Sequence, residues 1–229
     1  MNTLYTATGR YENRSTGAGR RYPVVINGNK EFLPDIHEML IWTCLNWSIL
    51  SFTEIEEKYI RKCSEHDIVP ESGKLLIEGL HKKGIVMSGS GDTLADALYD
   101  LLGEAYITIP SSHSLFIKAL SYLKLTLING VPFRKAFSLF HREKYYGDEK
   151  RVMDLAKQTA LSTAEIIKCV EYDAYDVSSD DKLLDVLYSD ETTTSDNISI
   201  VAKLYGAQKK VVVTISNLYL RKQIILQRI

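Results

Sequence analysis

The stretch from Asp35 to Asp92 constrains the fold most. Three helix-length apolar periods follow one another there and end in a short β-prone run. Ile36, Met39, Leu40, Leu45 and Trp47 recur roughly at helical spacing behind Asp35, a side chain suited to an N-cap. Thr53 is expected to open a second helix, with Glu56 completing a capping box and Ile55, Tyr59, Ile60 and Cys63 on the inner face. A third helix is expected from Glu71 to Lys83, with Leu76, Ile77 and Leu80 in the core and Gly84 as its stop. Ile85-Val86-Met87 then reads as a strand, and Ser88-Gly89-Ser90-Gly91-Asp92 as a flexible loop.

Three short helices, a strand and a glycine-rich loop follow the order of a winged helix. The text Leu80-His81-Lys82-Lys83-Gly84-Ile85-Val86 resembles the end of the third helix and the first wing strand of winged-helix regulators. The resemblance covers about residues 23–92. The loop Ser88–Asp92 carries no Lys or Arg, whereas a wing lying on a phosphate backbone usually does. The unit therefore reads first as a core or dimerisation module.

On the N-terminal side, residues 1–21 are rich in Thr, Gly, Asn and Arg and show no apolar period. They read as a flexible basic arm, with Arg20 and Arg21 able to reach a phosphate backbone or a minor groove. Tyr22–Ile26 is β-prone and ends at the turn signal Asn27-Gly28. Beyond Asp92, a helix is expected on the stripe Leu94, Ala97, Leu98, Leu101 and Leu102, capped by Asp92 or Thr93. Further helices are expected over 114–128 and after Pro132, where Phe133, Phe137 and Phe140 read as core and Lys135, Arg142 and Lys144 as outward.

Two windows carry the grammar of a helix-turn-helix: small Ala where the helices cross, Gly at the turn, and apolar residues that build the shared core. The first starts at Val152 and holds Leu155, Ala156, Leu161, Ile166 and Cys169, with Ala160 standing where Gly is usual and Ser162 and Glu165 forming a capping box. Its text Met153–Ser162 resembles the helix-turn-helix of bacterial repressors, and Ser162, Thr163 and Lys168 are its candidate contacts. Glu165, Glu171, Asp173 and Asp176 work against phosphate there. The second window starts at Ile198, with Val201, Ala202, Gly206, Ala207, Val212 and Ile215 at the required places. Gln208, Lys209, Lys210, Thr214, Asn217 and Arg221 would then face DNA, since Gln and Asn suit adenine edges and Lys suits guanine and phosphate. The run Val211-Val212-Val213-Thr214-Ile215 propagates poorly as helix and could instead be a buried strand. As a helix, it would need Val213 covered by another element.

The formal net charge is −1, but it is unevenly spread. Residues 1–30 carry +4, 31–110 carry −8, 111–164 carry +5, 165–196 carry −8 and 197–229 carry +6. Blocks of this size either face different partners or neutralise one another on folding. Cys44, Cys63 and Cys169 are odd in number and far apart, which suits reduced thiols in a cytoplasmic protein. No apolar h-region follows Met1-Asn2-Thr3-Leu4-Tyr5, and no apolar run approaches the roughly 18 residues of a membrane helix.

Catalytic and cofactor signatures are missing. There is no G-x-x-x-x-G-K and no G-x-S-x-G, and His37-Glu38 is followed by Ile41 where a zincin needs His. The five histidines are dispersed, so neither a metal nor a cofactor is expected. The residues together predict a mainly α chain. It has a basic arm over 1–21, a winged-helix-like unit over 22–110, a helical middle over 111–172 and a C-terminal helix-turn-helix-like unit over 173–229. The thiols and the missing motifs suit a cytoplasmic, non-enzymatic protein, and the resemblance implies a transcription regulator that reads double-stranded DNA sequence-specifically as a homodimer. The alternatives are a protein–protein adaptor on a winged-helix scaffold, which the acidic segments favour, and a plasmid- or phage-type replication initiator.

Overall fold

A computed structural model gives the structure of the chain and describes residues 1–15, 17, 19, 21–110, 145–190 and 192–228. The helices expected over 114–128 and after Pro132 lie outside the described residues, as does Arg20. In chain order, the strands are β1 (Asn2–Ala7), β2 (Arg10–Ser15), β3 (Arg21–Asn27) and β4 (Lys30–Phe32). Helices α1 (Ile36–Leu45), α2 (Phe52–Glu65) and α3 (Gly73–Lys82) follow, then β5 (Val86–Gly91), α4 (Leu94–Leu102) and β6 (Tyr106–Thr108). The later elements are α5 (Gly147–Gln158), β7 (Leu161–Ser162), α6 (Thr163–Glu171), α7 (Asp180–Tyr188), α8 (Ile198–Val201), a 3-10 turn (Ala202–Leu204), α9 (Gln208–Leu220) and β8 (Ile225–Gln227).

The fold is mixed α/β, which corrects the mainly α expectation. Among the described residues, eight strands form three small sheets: β1–β5, β2–β3–β4 and β7–β6–β8. Most of the difference arises at the N-terminus. The expected flexible arm is instead two strands, because β1 pairs antiparallel with β5, Asn2 opposite Gly91 through Ala7 opposite Val86, and β2 pairs with β3. The expected loop Ser88–Asp92 likewise belongs mostly to β5. No wing hairpin turns back from β5. Its antiparallel neighbour is the N-terminal strand, and Tyr5 and Leu50 exchange backbone hydrogen bonds on the far side of β1 at 2.8 and 3.0 Å.

Successive β5 side chains point to opposite faces, and here each face has its own core. Val86 packs with Ile41, Trp42, Leu45, Ile55, Tyr59 and Leu80 of the three-helix unit. Met87 packs with Leu101, Leu155, Ile166, Ile215 and Leu218 of the other core. The β1–β5 ribbon therefore divides two apolar cores. Capping explains where the helices start: Asp35 with Glu38, Thr93 with Asp96 and Ser162 with Glu165 each form a reciprocal box. Helix α2 begins two residues before the sequence expectation, with Ser51 and Glu54 rather than Thr53 and Glu56 as its box.

Small residues in β5 follow from packing. A Cβ on Gly89 would lie 2.1 Å from the Leu101 backbone nitrogen and 2.6 Å from the Ala97 carbonyl oxygen, so α4 sits directly on the strand. Gly89→Ala is therefore expected to separate α4 from β5 and cost about 2 kcal/mol of stability, read as a lower urea midpoint. A wild-type midpoint would show that α4 can move aside freely.

The N- and C-terminal segments meet at one junction. The Gly9 N–H donates to the Leu226 carbonyl at 2.8 Å. Asn27, nearly buried, donates to the Gly84 carbonyl at 2.8 Å and accepts from the Arg228 N–H at 3.0 Å. Gly9 itself has φ +83°, and a Cβ there would stand 2.4 Å from the Ile26 carbonyl oxygen, so only glycine fits.

Candidate functional site

The two helix-turn-helix windows do form helix pairs, but their outward surfaces differ from the sequence expectation. In the first, α6 is an interior helix: Thr163, Ala164, Ile166, Ile167, Lys168 and Cys169 are all buried. The Ser162 hydroxyl accepts from the Glu165 N–H at 3.2 Å as a cap, and the Thr163 N–H donates to the Ala105 carbonyl at 2.9 Å. The Lys168 ammonium is sealed inside, donating to the Leu187 carbonyl at 2.6 Å and to the Asp190 carboxylate. A helix buried on this scale has no free face for a groove.

In the second window, the β-branched run is helical, since Val211–Ile215 lies within α9. Thr214 faces inward, its hydroxyl donating to the Lys210 carbonyl at 2.8 Å. Lys209 and Asn217 are exposed, Gln208 is half-buried, and Val213 stands 44% exposed rather than covered. Lys210 is paired with Asp148 and Arg221 with Glu149, each at 2.7 Å, so acids at the start of α5 partly offset the expected basic face, in exposed ion pairs of the weak surface kind. Arg21 is exposed on β3 opposite Ser15, remote in sequence from that face. Of the expected set of six, Lys209, Lys210 and Asn217 are exposed on α9 and Arg221 just past its end, Lys210 and Arg221 each beside a carboxylate, while Gln208 is half-buried and Thr214 buried.

A different surface stands open beside β5. The Thr8 N–H donates to the Ile85 carbonyl at 3.0 Å. In an antiparallel ladder such hydrogen-bonded pairs alternate, so Met87, Gly89 and Gly91 also bond to β1 in the observed register. The backbone groups of Val86, Ser88 and Ser90 then point to the outer edge. The Ser90 N–H is taken by the Asp100 carboxylate at 2.9 Å. Ser88 has no outer backbone partner among the described residues.

Ser88 also lines two clefts. The first, about 450 Å³, lies on the α3 side, where Tyr5, Phe52 and Ile77 give an apolar floor with Lys74, His81 and Lys82 around it. Glu78 stands beside the two lysines. The second, about 460 Å³, lies toward α4 and α6 and gathers Asp100, Glu104, Glu165 and Asp196 against the single arginine Arg228. Burial, and then Glu165, raise the phenol of Tyr106 and push that of Tyr188 up to about 12. Both therefore remain neutral hydroxyls, and the field of this cleft is that of its carboxylates.

Sequence reasoning missed this surface because Ser88-Gly89-Ser90-Gly91 reads as a loop by composition. The signal was its period-two alternation after Ile85-Val86-Met87: glycines face α4, and serines face the other side. No group of three or more metal-ligating side chains occurs among the described residues. No helix among them is long and apolar enough to cross a membrane. Comparisons with protein-family models, curated proteins and solved structures return no match.

Proposed function

We propose that this chain is a protein-binding adaptor whose three-helix N-terminal unit receives an extended peptide segment of another protein. One observation carries the reading: a strand edge, at which the Ser88 backbone groups have no partner among the described residues, lies between two clefts of ligand size. Strand edges with flanking pockets are a recurring peptide-recognition device, in which the backbone supplies affinity and the pockets supply specificity. A duplex reader is the weaker reading, because most of the residues expected to contact DNA are buried or paired with the chain's own carboxylates. The adaptor reading requires neither a palindrome nor a two-fold dimer. It favours a reducing, cytoplasmic setting, supported by three buried free thiols at Cys44, Cys63 and Cys169.

The test is selection of random displayed peptides on the immobilised full chain, with Phe52→Asp as the counter-selection. Phe52 is half-buried at the first position of α2 and lines the apolar cleft. Aspartate is favourable at a helix N-terminus, so the variant is expected to fold. The expected result is enrichment of related peptides on the wild type and loss of that enrichment on Phe52→Asp. No enrichment, or equal enrichment on both, would remove the adaptor reading at this site.

A further inference from the structure

The β5 edge has a direction and two chemically different sides, and these limit what can add to it. In an added strand, the residue opposite Ser88 shares its face, the face of Tyr5, Phe52 and Ile77. The residues before and after it point the other way, toward the cleft of Asp100, Glu104 and Glu165. Glu104 and Asp100 are exposed there, and the basic groups lining that cleft are Arg228 and His81. The Asp100 carboxylate on the Ser90 N–H closes the edge at one end, so the addition is short and centred on Ser88.

We infer that β5 is an acceptor strand for a partner segment in which apolar and basic residues alternate. This deepens the adaptor reading and rests on it. The segment's backbone exchanges hydrogen bonds with the N–H and C=O of Ser88. Its apolar side chains enter the cleft floored by Tyr5, Phe52 and Ile77. Its lysines or arginines meet Asp100 and Glu104. Charge complementarity selects the occupant, since an acidic alternating segment would set carboxylates against carboxylates on that second side.

Labelled ten-residue peptides test this directly by fluorescence polarisation on the full chain: one alternating Val and Lys, one alternating Val and Glu. The Val/Lys peptide is expected to bind at least about tenfold more tightly than the Val/Glu peptide. N-methylation walked along the Val/Lys peptide should weaken binding about tenfold at every second central residue and little in between, because only alternate N–H groups of an added strand face β5. Ser88→Pro removes the outer N–H while sparing the ladder to β1, a place where strands tolerate proline, and should weaken binding by a similar factor. Should that variant fold poorly, Glu104→Lys, exposed and off the strand, is expected to reverse the preference toward Val/Glu.

Binding that tolerates N-methylation everywhere and is unmoved by Glu104→Lys would overturn strand addition. Continued Phe52-dependent binding of display-selected peptides would then leave the adaptor reading standing. Self-association of the chain that Ser88→Pro abolishes, with no peptide bound, would replace the partner segment with a second copy.

Discussion

Lys168→Ala is expected to destabilise the protein by about 2 to 4 kcal/mol, from an emptied buried stem and a buried carbonyl left without its donor, the Asp190 carboxylate itself being partly exposed. The Lys168 side chain is 2% exposed, and its ammonium donates to the Leu187 carbonyl and to Asp190. Asp190 in turn accepts from the Thr193 N–H at 2.6 Å and the Thr192 N–H at 3.1 Å, so one carboxylate organises the turn after α7. Alanine removes the cation, empties the space of its stem and leaves the Leu187 carbonyl without its donor. Urea unfolding measures the loss. A change below about 1 kcal/mol would mean that water replaces the ammonium.

The same pair sets an acid response. Lys168, with Thr193 and Thr192, holds the Asp190 carboxyl well below its ordinary range. Asp176 is pulled down to about 2 by Lys182 and Ser178. A carboxyl lowered in the folded state adds stability that is complete above its unfolded value, near 4, and disappears as the pH falls toward the folded value. Wild-type stability should therefore fall between about pH 4 and pH 2 as these groups take up protons. Lys168→Ala should make that fall shallower, since Asp190 then titrates closer to its unfolded value.

Tyr219→Phe is the second large effect, at about 3 kcal/mol. Tyr219 projects from α9, and its hydroxyl reaches the β1 strand and the end of α1. The phenol oxygen accepts from the Trp47 N–H at 2.9 Å, its hydroxyl donates to the Ala7 carbonyl at 3.1 Å, and the Thr6 hydroxyl lies 2.9 Å away. Burial pushes this phenol up to about 12, so it remains a donor at any physiological pH. Trp47 has φ +53°, a left-handed conformation that a bulky residue rarely holds, and the phenol fixes its N–H. Phenylalanine keeps the ring and leaves the Trp47 N–H and the Ala7 carbonyl without this partner, while the Thr6 hydroxyl retains the Ser48 carbonyl at 2.8 Å. Calorimetry should show a lower transition temperature, and hydrogen exchange should show earlier opening of Trp47. An unchanged transition would mean that the two cores hold together through apolar contact alone.

The helices were legible where a local signal marks them. Asp35, Thr93 and Ser162 cap helices because each side chain answers a backbone N–H three residues on, information wholly contained in the neighbouring text. Tyr22–Ile26 with its Asn27-Gly28 turn marked β3 and the hairpin to β4, but the β1–β5 pairing was not legible, since its partners lie about eighty to ninety residues apart. Both faces of β1 are covered, so Leu4 and Tyr5 give no polar–apolar alternation. The helix-turn-helix pattern carried half its meaning. Ala156 and Ala202 are buried, as the pattern requires. Which basic residues are paired depended on Asp148, Glu149 and Asp190, acids that only the tertiary fold brings to Lys210, Arg221 and Lys168. Ser88 was legible only once its neighbour strand was known.

A competitive titration tests the central claim most directly. The full chain is mixed at low salt with a labelled display-selected peptide and, separately, with labelled random duplex DNA, both followed by polarisation across a salt series. Saturable peptide binding that duplex does not displace is the expected result. Tight duplex binding that falls steeply with salt, without peptide binding, would contradict the account and return α9, with Lys209 and Asn217, as the working surface.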